Sequence, residues 1–253
     1  MKPKHFTVLS RHRASGIALQ AARPFVFINM AMTADGKIAN ANRIISSFGS
    51  KHDHDNLYEL RTTADAVMAG ARTLDLNKVT LGNGGERFQK MRVQNGLAEY
   101  SLRVIASGTG TIDPKAEIFR HRFSPIILLT SERASKAKLK SLHTLVDDIL
   151  VCGNHHIDFA SAFQWLREKW KVKRLLCEGG GDLNAALFHA GLVDELNLTV
   201  CPKIFGGRTS PTIAEGAGIR RLADAASLEL KSFRRVGDEV FLVYRTKRSR
   251  HSA

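Results

Sequence analysis

The stretch 174–195 constrains the fold of this chain more than any other, because it predicts a strand, a glycine turn and a helix in immediate succession. The apolar run Leu175–Cys177 is typical of a buried strand, and three consecutive glycines, Gly179–Gly181, follow it after one residue. Strands that lead directly into helices are the repeating unit of α/β proteins. We therefore expect an α/β fold.

The glycine turn is also a candidate ligand site. Glycines let a ligand approach the backbone, and the first amide groups of a helix attract anions. Asp182 is predicted to cap this helix and Gly191 to end it. Glu178 lies at the carboxyl end of the strand, where open α/β sheets bind ligands. The spacing matches neither Gly-x-Gly-x-x-Gly nor a phosphate-binding loop, so a plain tight turn and a dinucleotide site both stay open.

The remaining chain alternates strands and helices. Strands are predicted at 25–30, 66–70, 102–106, 125–130, 149–153, 196–201, 227–235 and 239–246, and helices at 52–63, 135–142, 158–170 and 182–191. Residues 77–100 lack clear periodicity and predict a loop or insertion with a short helix near 87–92. The fold class is thus α/β, with a mixed, mostly parallel sheet flanked by helices and a C-terminal antiparallel hairpin.

Charge is concentrated at the two ends. The net charge is +14, and five basic residues in 1–24 and four in 245–253, with no acid in either, leave +5 between them. We expect 1–23 to form a flexible basic leader, 24–246 a single domain and 247–253 a basic tail. Solvated ends are favoured over contacts with nucleic acid.

The three cysteines, Cys152, Cys177 and Cys201, each end an apolar run and form no Cys-x-x-Cys pair. Buried free thiols in a reducing compartment follow, without a metal site. No apolar run is long enough to span a membrane, and the basic start lacks the apolar core of a signal peptide. We therefore expect a cytoplasmic protein that does not bind membranes.

Small and hydroxyl residues follow several strands, at Gly70–Thr73, Ser107–Gly110, Thr130–Ser131 and Gly179–Gly181. A set of such loops along one sheet edge predicts a groove for an extended ligand such as a dinucleotide. After the first strand, Asp35 either only shapes a turn or lets Lys37 face a ligand. Arg61 is either solvated or reaches a phosphate.

These residues form a familiar series. Its members are 33–39 (Thr-Ala-Asp-Gly-Lys-Ile-Ala), 43–47, 60–61, 64–73, 178–184, 191–195 and 202–207. Together they resemble the riboflavin-biosynthesis pyrimidine reductase family, whose fold is similar to that of dihydrofolate reductase. The resemblance covers roughly Phe25 to Thr246. It implies a homodimeric enzyme that uses NADPH to reduce a ribosylaminopyrimidine 5′-phosphate to its ribitylamino form, by hydride transfer to C1′ of an open-chain imine.

The resemblance also implies roles for individual residues. Lys37 and Glu178 are implied in catalysis, where either assists proton transfer or hydrogen-bonds the sugar. The implied substrate contacts are Asn42, Ser46, Arg61 and Glu178, with Arg61 a candidate phosphate partner. The implied cofactor contacts are Ala31, Ile44, Gly70, Thr73, Ser107, Gly108, Gly180, Gly181, Asp182, Leu183 and Asn184. A site for the 2′-phosphate of NADPH would involve Arg72, Lys136 or Lys138.

The region Leu74–Tyr100 departs from the family pattern, because the usual Asp-Asp-Pro segment is absent and extra residues follow. This departure motivates one alternative, a reductase of another substrate such as a pterin. A second alternative is a non-enzymatic nucleotide or nucleic-acid binder that uses the basic ends. No His-x-Glu with Pro-Cys-x-x-Cys is present, so we expect the reductase without the deaminase of bifunctional relatives.

Overall fold

The computed structural model describes residues 5–9, 23–44 and 48–247. In chain order its elements are β1 (His5–Leu9), β2 (Phe25–Thr33), α1 (Lys51–Arg61), β3 (Ala66–Gly70), α2 (Ala71–Leu76), α3 (Glu86–Gln94), β4 (Leu102–Ala106), α4 (Glu117–Arg120), β5 (Ile126–Thr130), α5 (Lys136–Leu142), β6 (Asp148–Cys152), α6 (Phe159–Lys169), β7 (Arg174–Cys177), α7 (Gly181–His189), β8 (Glu195–Cys201), a 3₁₀ turn (Leu222–Asp224), β9 (Leu228–Val236) and β10 (Glu239–Thr246).

The described residues form two compact units. The first holds those of Met1–Phe25 together with Arg61–Leu175, and the second holds Val26–Leu60 together with those of Leu176–Ala253. The chain passes from the first unit to the second within β7, so this strand has residues in both. The expected domain of 24–246 includes residues of each unit, and its treatment as a single domain stays a prediction.

The first unit contains a parallel run of strands in the order β1-β6-β5-β4-β3. Every residue of β5 and β6 is buried, as are the first four of β3. A parallel strand covered on both faces needs apolar residues on both, which explains the continuous runs in the sequence. Because these strands are parallel, their carboxyl ends lie along one edge.

The second unit combines parallel and antiparallel pairing. Strand β2 pairs in parallel with β8, whereas β10 pairs antiparallel with both β8 and β9. The predicted closing hairpin is therefore confirmed. Of the seven strand pairs given above, five are parallel and two are antiparallel, so the prediction of a mixed, mostly parallel α/β fold is also confirmed.

The prediction of a flexible leader is wrong for residues 5–9, which form β1 and pair in parallel with β6. The pairing joins His5 to Asp148 and Leu9 to Cys152. Strand β2 is thus the second strand of the chain rather than the first. The rest of the leader, 1–4 and 10–22, and the tail from 248 onward lie outside the described residues.

Two other local predictions change. Residues 71–73, expected as a loop, form the start of α2, which begins directly after β3. The helix expected near 87–92 is present and extends over Glu86–Gln94. The predicted cap of α6 is confirmed, because the Asp158 carboxylate accepts a hydrogen bond from Ser161 N at 3.2 Å.

The three cysteines are free and buried, as predicted. Burial raises the pKa of the Cys152, Cys177 and Cys201 thiols to about 12 each, since a thiolate is poorly solvated there. No helix among the described residues is long and apolar enough to cross a membrane.

Arg103 on β4 is fully buried and joins the strand to the segment before β5. Its guanidinium donates to Ile118 O at 2.9 Å and to Ser124 O at 2.6 Å, and it stacks 4.1 Å from the Phe123 ring centroid. Burial lowers the pKa of this guanidinium to about 10. Arg103 therefore satisfies carbonyl groups that the fold has removed from water.

We expect Arg103→Met to lower the free energy of unfolding by about 3 kcal/mol, because two carbonyl groups lose a charged donor. Urea unfolding measures the change. Arg120→Met is the matched control, since the Arg120 side chain is 66% exposed and should contribute less than about 0.5 kcal/mol. Equal effects of the two substitutions would contradict a structural role for Arg103.

Candidate active site

The glycine turn after β7 has no room for side chains at two of its three positions. A Cβ at Gly179 would lie 2.7 Å from Met30 Sδ, and one at Gly181 would lie 2.6 Å from Thr212 O. Gly179 also has a φ of +77°, in the region that favours glycine. Close packing inside the second unit therefore favours glycine at positions 179 and 181, whether or not the turn also binds a ligand.

The segment Ser210–Glu215, called the strap below, crosses this turn. Glu215 N donates to Gly181 O at 3.0 Å, and the Asn184 amide donates to Ile213 O at 2.8 Å. The strap thus packs on the start of α7 and covers Gly181. No sequence pattern predicted this segment, because its contacts join positions about thirty residues apart.

The strap changes the interpretation of the helix residues. Asn184 is 1% exposed, its amide nitrogen bonds the strap, and its amide oxygen accepts from Cys177 Sγ at 3.6 Å. Its side chain therefore holds the protein together rather than facing a ligand. Leu183 is buried in the core, and Asp182 is exposed. The prediction that Asp182 caps α7 is wrong, because Gly180 occupies the cap position without a side-chain cap bond.

The turn after β2 is fixed by Asp35. Its carboxylate accepts from Thr33 Oγ1 at 2.5 Å and from Gly206 N at 2.7 Å, and these bonds lower its pKa, with the Thr33 contribution the largest. Asp35 therefore shapes its own turn and also attaches the glycine turn at 206–207. This contact gives a structural reason for the glycines of the 202–207 motif, which resembles the family pattern.

Lys37, in the same turn, lies against the strap. Its ammonium group donates to Ser210 O at 3.1 Å, and the adjacent Ile38 N donates to Pro211 O at 2.9 Å. The Lys37 turn and the glycine turn at 179–181 therefore both bind the same six-residue segment. Glu178, half-buried, directly precedes those glycines. In the second unit, the strap thus connects the turns that carry the two predicted catalytic residues.

The remaining candidates of the second unit lie around a short loop after Ala39. Asn42 and Ile44 are exposed, and the backbone N–H of each donates to Asn40 Oδ1 at 3.1 Å. Ala31 is half-buried on β2. Ser46 lies outside the described residues. The ligand contacts expected from these four residues stay predictions.

In the first unit, the predicted cofactor residues follow neighbouring parallel strands. Gly70 ends β3 and precedes α2, which contains Thr73, while Ser107 and Gly108 follow β4. Ser131, after β5, donates from its hydroxyl to Gly108 O at 2.6 Å. These loops share one edge, as the strand pattern predicted.

Gly108 differs from the packed glycines of the second unit. No atom lies within 4 Å of a Cβ placed there. The backbone at this position is therefore open to close approach by a ligand, and this opening fits a nucleotide cofactor at the edge formed by β3, β4 and β5.

The basic residues of the first unit that were predicted to bind phosphate groups differ in burial and in hydrogen bonding. Arg61 is only 6% exposed, and its guanidinium donates to the carbonyl of Gly82. The expectation of a solvated arginine is therefore wrong, and its role as a phosphate partner stays a prediction. Arg72, Lys136 and Lys138 are all exposed, and Lys138 Nζ donates to Thr111 Oγ1 at 2.6 Å.

No group of three or more metal-binding side chains occurs within residues 5–9, 23–44 and 48–247. In the first unit, open loops at the ends of neighbouring parallel strands are typical of the class of α/β proteins that bind nucleotides at a sheet edge.

The chain belongs to the RibD C-terminal domain family, whose model matches residues 24–242. It is 31% identical over 225 residues to the 2,5-diamino-6-ribosylamino-4(3H)-pyrimidinone 5′-phosphate reductase of Methanothermobacter thermautotrophicus, covering 89% of this chain and 99% of that protein. The reductase of the same name from Aquifex aeolicus is 27% identical, covering 83% of this chain and 91% of that protein.

A solved structure has the same fold. The pyrimidine reductase-like protein of Corynebacterium diphtheriae superimposes with a TM-score of 0.74 at 21% identity, covering 89% of this chain and 93% of that chain. The resemblance recognised from the sequence motifs is therefore confirmed at the level of family and fold.

The close packing at the glycine turn predicts that a larger residue at position 181 destabilises the protein. Gly181→Ala should displace the strap, because the new Cβ would meet Thr212 O and Glu215 Cγ, each at 2.6 Å. We expect a loss of about 1–3 kcal/mol in the free energy of unfolding, measured in urea. Gly108→Ala is the control, with a change below about 0.5 kcal/mol. Wild-type stability of Gly181→Ala would contradict the tight packing.

Proposed function

We propose that this protein reduces the ribosyl group of 2,5-diamino-6-ribosylamino-4(3H)-pyrimidinone 5′-phosphate to the ribitylamino form, in riboflavin biosynthesis. The names of the two reductases that it matches over most of their length support this substrate. The observation that carries the proposal is the strap, which joins the Lys37 turn to the glycine turn in the second unit. Two motifs that resemble the family lie far apart in sequence and are bonded to one segment.

The reaction needs no covalent catalysis by a protein side chain. A nicotinamide cofactor supplies the hydride when bound. The hydride adds to C1′ of the open-chain imine, the C1′–N double bond becomes single, and a proton reaches the nitrogen. The protein has to orient the sugar and supply or hold that proton. Lys37 and Glu178 are the groups that we assign to the proton or to the sugar hydroxyls.

For the cofactor, the family implies a nicotinamide dinucleotide, and we propose NADPH. The open backbone at Gly108 and the neighbouring loops after β3 and β5 support binding along this edge. Arg72, Lys136 and Lys138 are the cations of this unit that we propose for the 2′-phosphate. All three side chains are exposed, and Lys138 also donates to the Thr111 hydroxyl.

The altered region Leu74–Tyr100 supports one alternative, a reductase of another substrate such as a pterin. Its loop at Gly82 bonds Arg61, the proposed phosphate partner. If this loop accommodates another ring, the substrate is a pterin on the same fold. Binding through the basic ends alone finds no support in the names of the relatives.

The test is a substrate panel in which NADPH oxidation is followed at about 340 nm. The diaminopyrimidinone, its deaminated form and a dihydropterin are compared, each with NADPH and with NADH. We expect turnover with the diaminopyrimidinone and a preference for NADPH. If only the pterin is reduced, the proposed substrate is wrong and the pterin alternative is correct. If none of the three compounds is turned over, the reductase function is refuted.

The proposed catalytic roles predict a specific kinetic pattern. We expect Glu178→Gln and Lys37→Ala each to lower kcat about 10²-fold, because each removes a group that positions or moves a proton. The dissociation constant for NADPH, measured by fluorescence titration, should stay nearly unchanged. Lys231→Ala, on the exposed strand β9, is the control. Loss of NADPH binding in both variants would contradict their placement on the substrate side.

We also propose that the protein acts as a homodimer, as the family implies, and sedimentation equilibrium tests this directly. A cytoplasmic location stays a prediction.

A further inference from the structure

The loop Asn40–Ile44 is held by an ion pair to which no role has been assigned so far. Arg43 Nη1 lies 3.0 Å from Glu215 Oε2, and Arg43 Nη2 lies 3.5 Å from Glu215 Oε1. Two parallel contacts of this kind fix the angle of the guanidinium as well as its distance. The pair therefore defines the position of the loop relative to the end of the strap.

The pair is more protected than the Arg221–Asp224 pair of the same unit. Its side chains are 37% and 21% exposed, whereas those of Arg221 and Asp224 are 78% and 43% exposed. Partly buried charges are screened less by solvent and salt. The Arg43–Glu215 pair can therefore hold a loop more effectively than a fully exposed pair of the same type.

The backbone of the loop is shaped to present Arg43. Arg43 has a φ of +61°, a conformation that a non-glycine residue rarely adopts. Its N–H donates to Asn40 O at 2.9 Å, and Asn40 Oδ1 accepts from Asn42 N and Ile44 N. The surrounding bonds thus maintain an unfavourable backbone conformation, and the ion pair is the contact that this conformation permits.

At the other end, Glu215 is anchored on the glycine turn. Its backbone N–H donates to Gly181 O at 3.0 Å, and its Cγ lies 2.6 Å from the place of a Cβ on Gly181. The side chain therefore starts from a fixed point on the turn that follows Glu178. Through Arg43, this point is connected to the loop that carries Asn42.

We propose that Glu215 is a positioning residue that holds the Asn40–Ile44 loop in register with the Gly179–Gly181 turn through its ion pair with Arg43. Its effect on catalysis rests on the proposed function and on the substrate contact that the family resemblance implies for Asn42. Neither Arg43 nor Glu215 touches the reacting atoms in this account. Loss of the pair loosens the loop, so it weakens substrate binding while the hydride step stays intact.

The first test needs no activity. Hydrogen–deuterium exchange of the ligand-free protein is compared between wild type, Glu215→Gln and the control Asp224→Asn, which removes the exposed Arg221 pair of the same unit. We expect exchange at the Arg43 and Ile44 amides to quicken about two- to fivefold in Glu215→Gln alone, the factor that one partly exposed ion pair supplies. Unchanged exchange at these amides would overturn the proposal.

A double-mutant cycle shows whether Glu215 acts through Arg43. If it does, adding Glu215→Gln to Arg43→Gln changes the exchange no further. Additive effects of the two substitutions would refute the coupling. Both variants remove surface charge without creating a cavity, and an unchanged melting temperature shows that each folds.

Kinetics then separates this inference from the proposed function. In Glu215→Gln, we expect KM for the pyrimidine substrate to rise about two- to fivefold, with kcat unchanged. A wild-type protein without turnover would refute the proposed function, while the exchange data would still decide the role of the pair. A two- to fivefold fall in kcat with an unchanged KM for the pyrimidine substrate would contradict a role of the pair in positioning the substrate loop.

Discussion

The second unit depends on the absence of side chains at the turn after β7. The sulfur of Met30 occupies the space beside Gly179, and the backbone of the strap occupies the space beside Gly181. Because nothing projects from this turn, the start of α7, strand β2 and the strap come together there. The strap in turn contacts the Lys37 turn and reaches the Arg43 loop through Glu215. A single requirement for small residues thus brings together, within this unit, the turns of Lys37 and Glu178 and the loop of Arg43.

The first unit follows a different rule, in which parallel pairing brings strand ends together. Four fully or largely buried strands end beside one another, and the residues that directly follow them are small: Ala71, Ser107, Ser131 and Gly153. Such an edge offers backbone donors and open space rather than reactive side chains. That chemistry suits a cofactor that carries the hydride itself, since the protein has only to bind and orient it.

The buried strands were predictable from the sequence because continuous apolar runs such as 126–130 leave few alternatives. Strand β1 was not predicted, because its partner β6 lies about 140 residues further along the chain and local composition gives little sign of such a distant pairing. The glycine turn was recognised, but its cause was not, because Thr212 and Glu215 carry no motif that points to Gly181. Likewise, the spacing of Asn184 indicated a cofactor helix, and only the tertiary contact with Ile213 shows that its side chain is used internally.

In the proposed reaction, hydride passes from a nicotinamide to the sugar carbon of a ribosylaminopyrimidine phosphate. Turnover with NADPH deuterated at C4 of the nicotinamide, prepared separately on each face of the ring and followed by mass spectrometry of the product, tests this transfer. We expect one of the two cofactors to transfer a single deuterium to C1′ of the ribityl chain. Product without deuterium from either cofactor, or deuterium found in the pyrimidine ring, would contradict it.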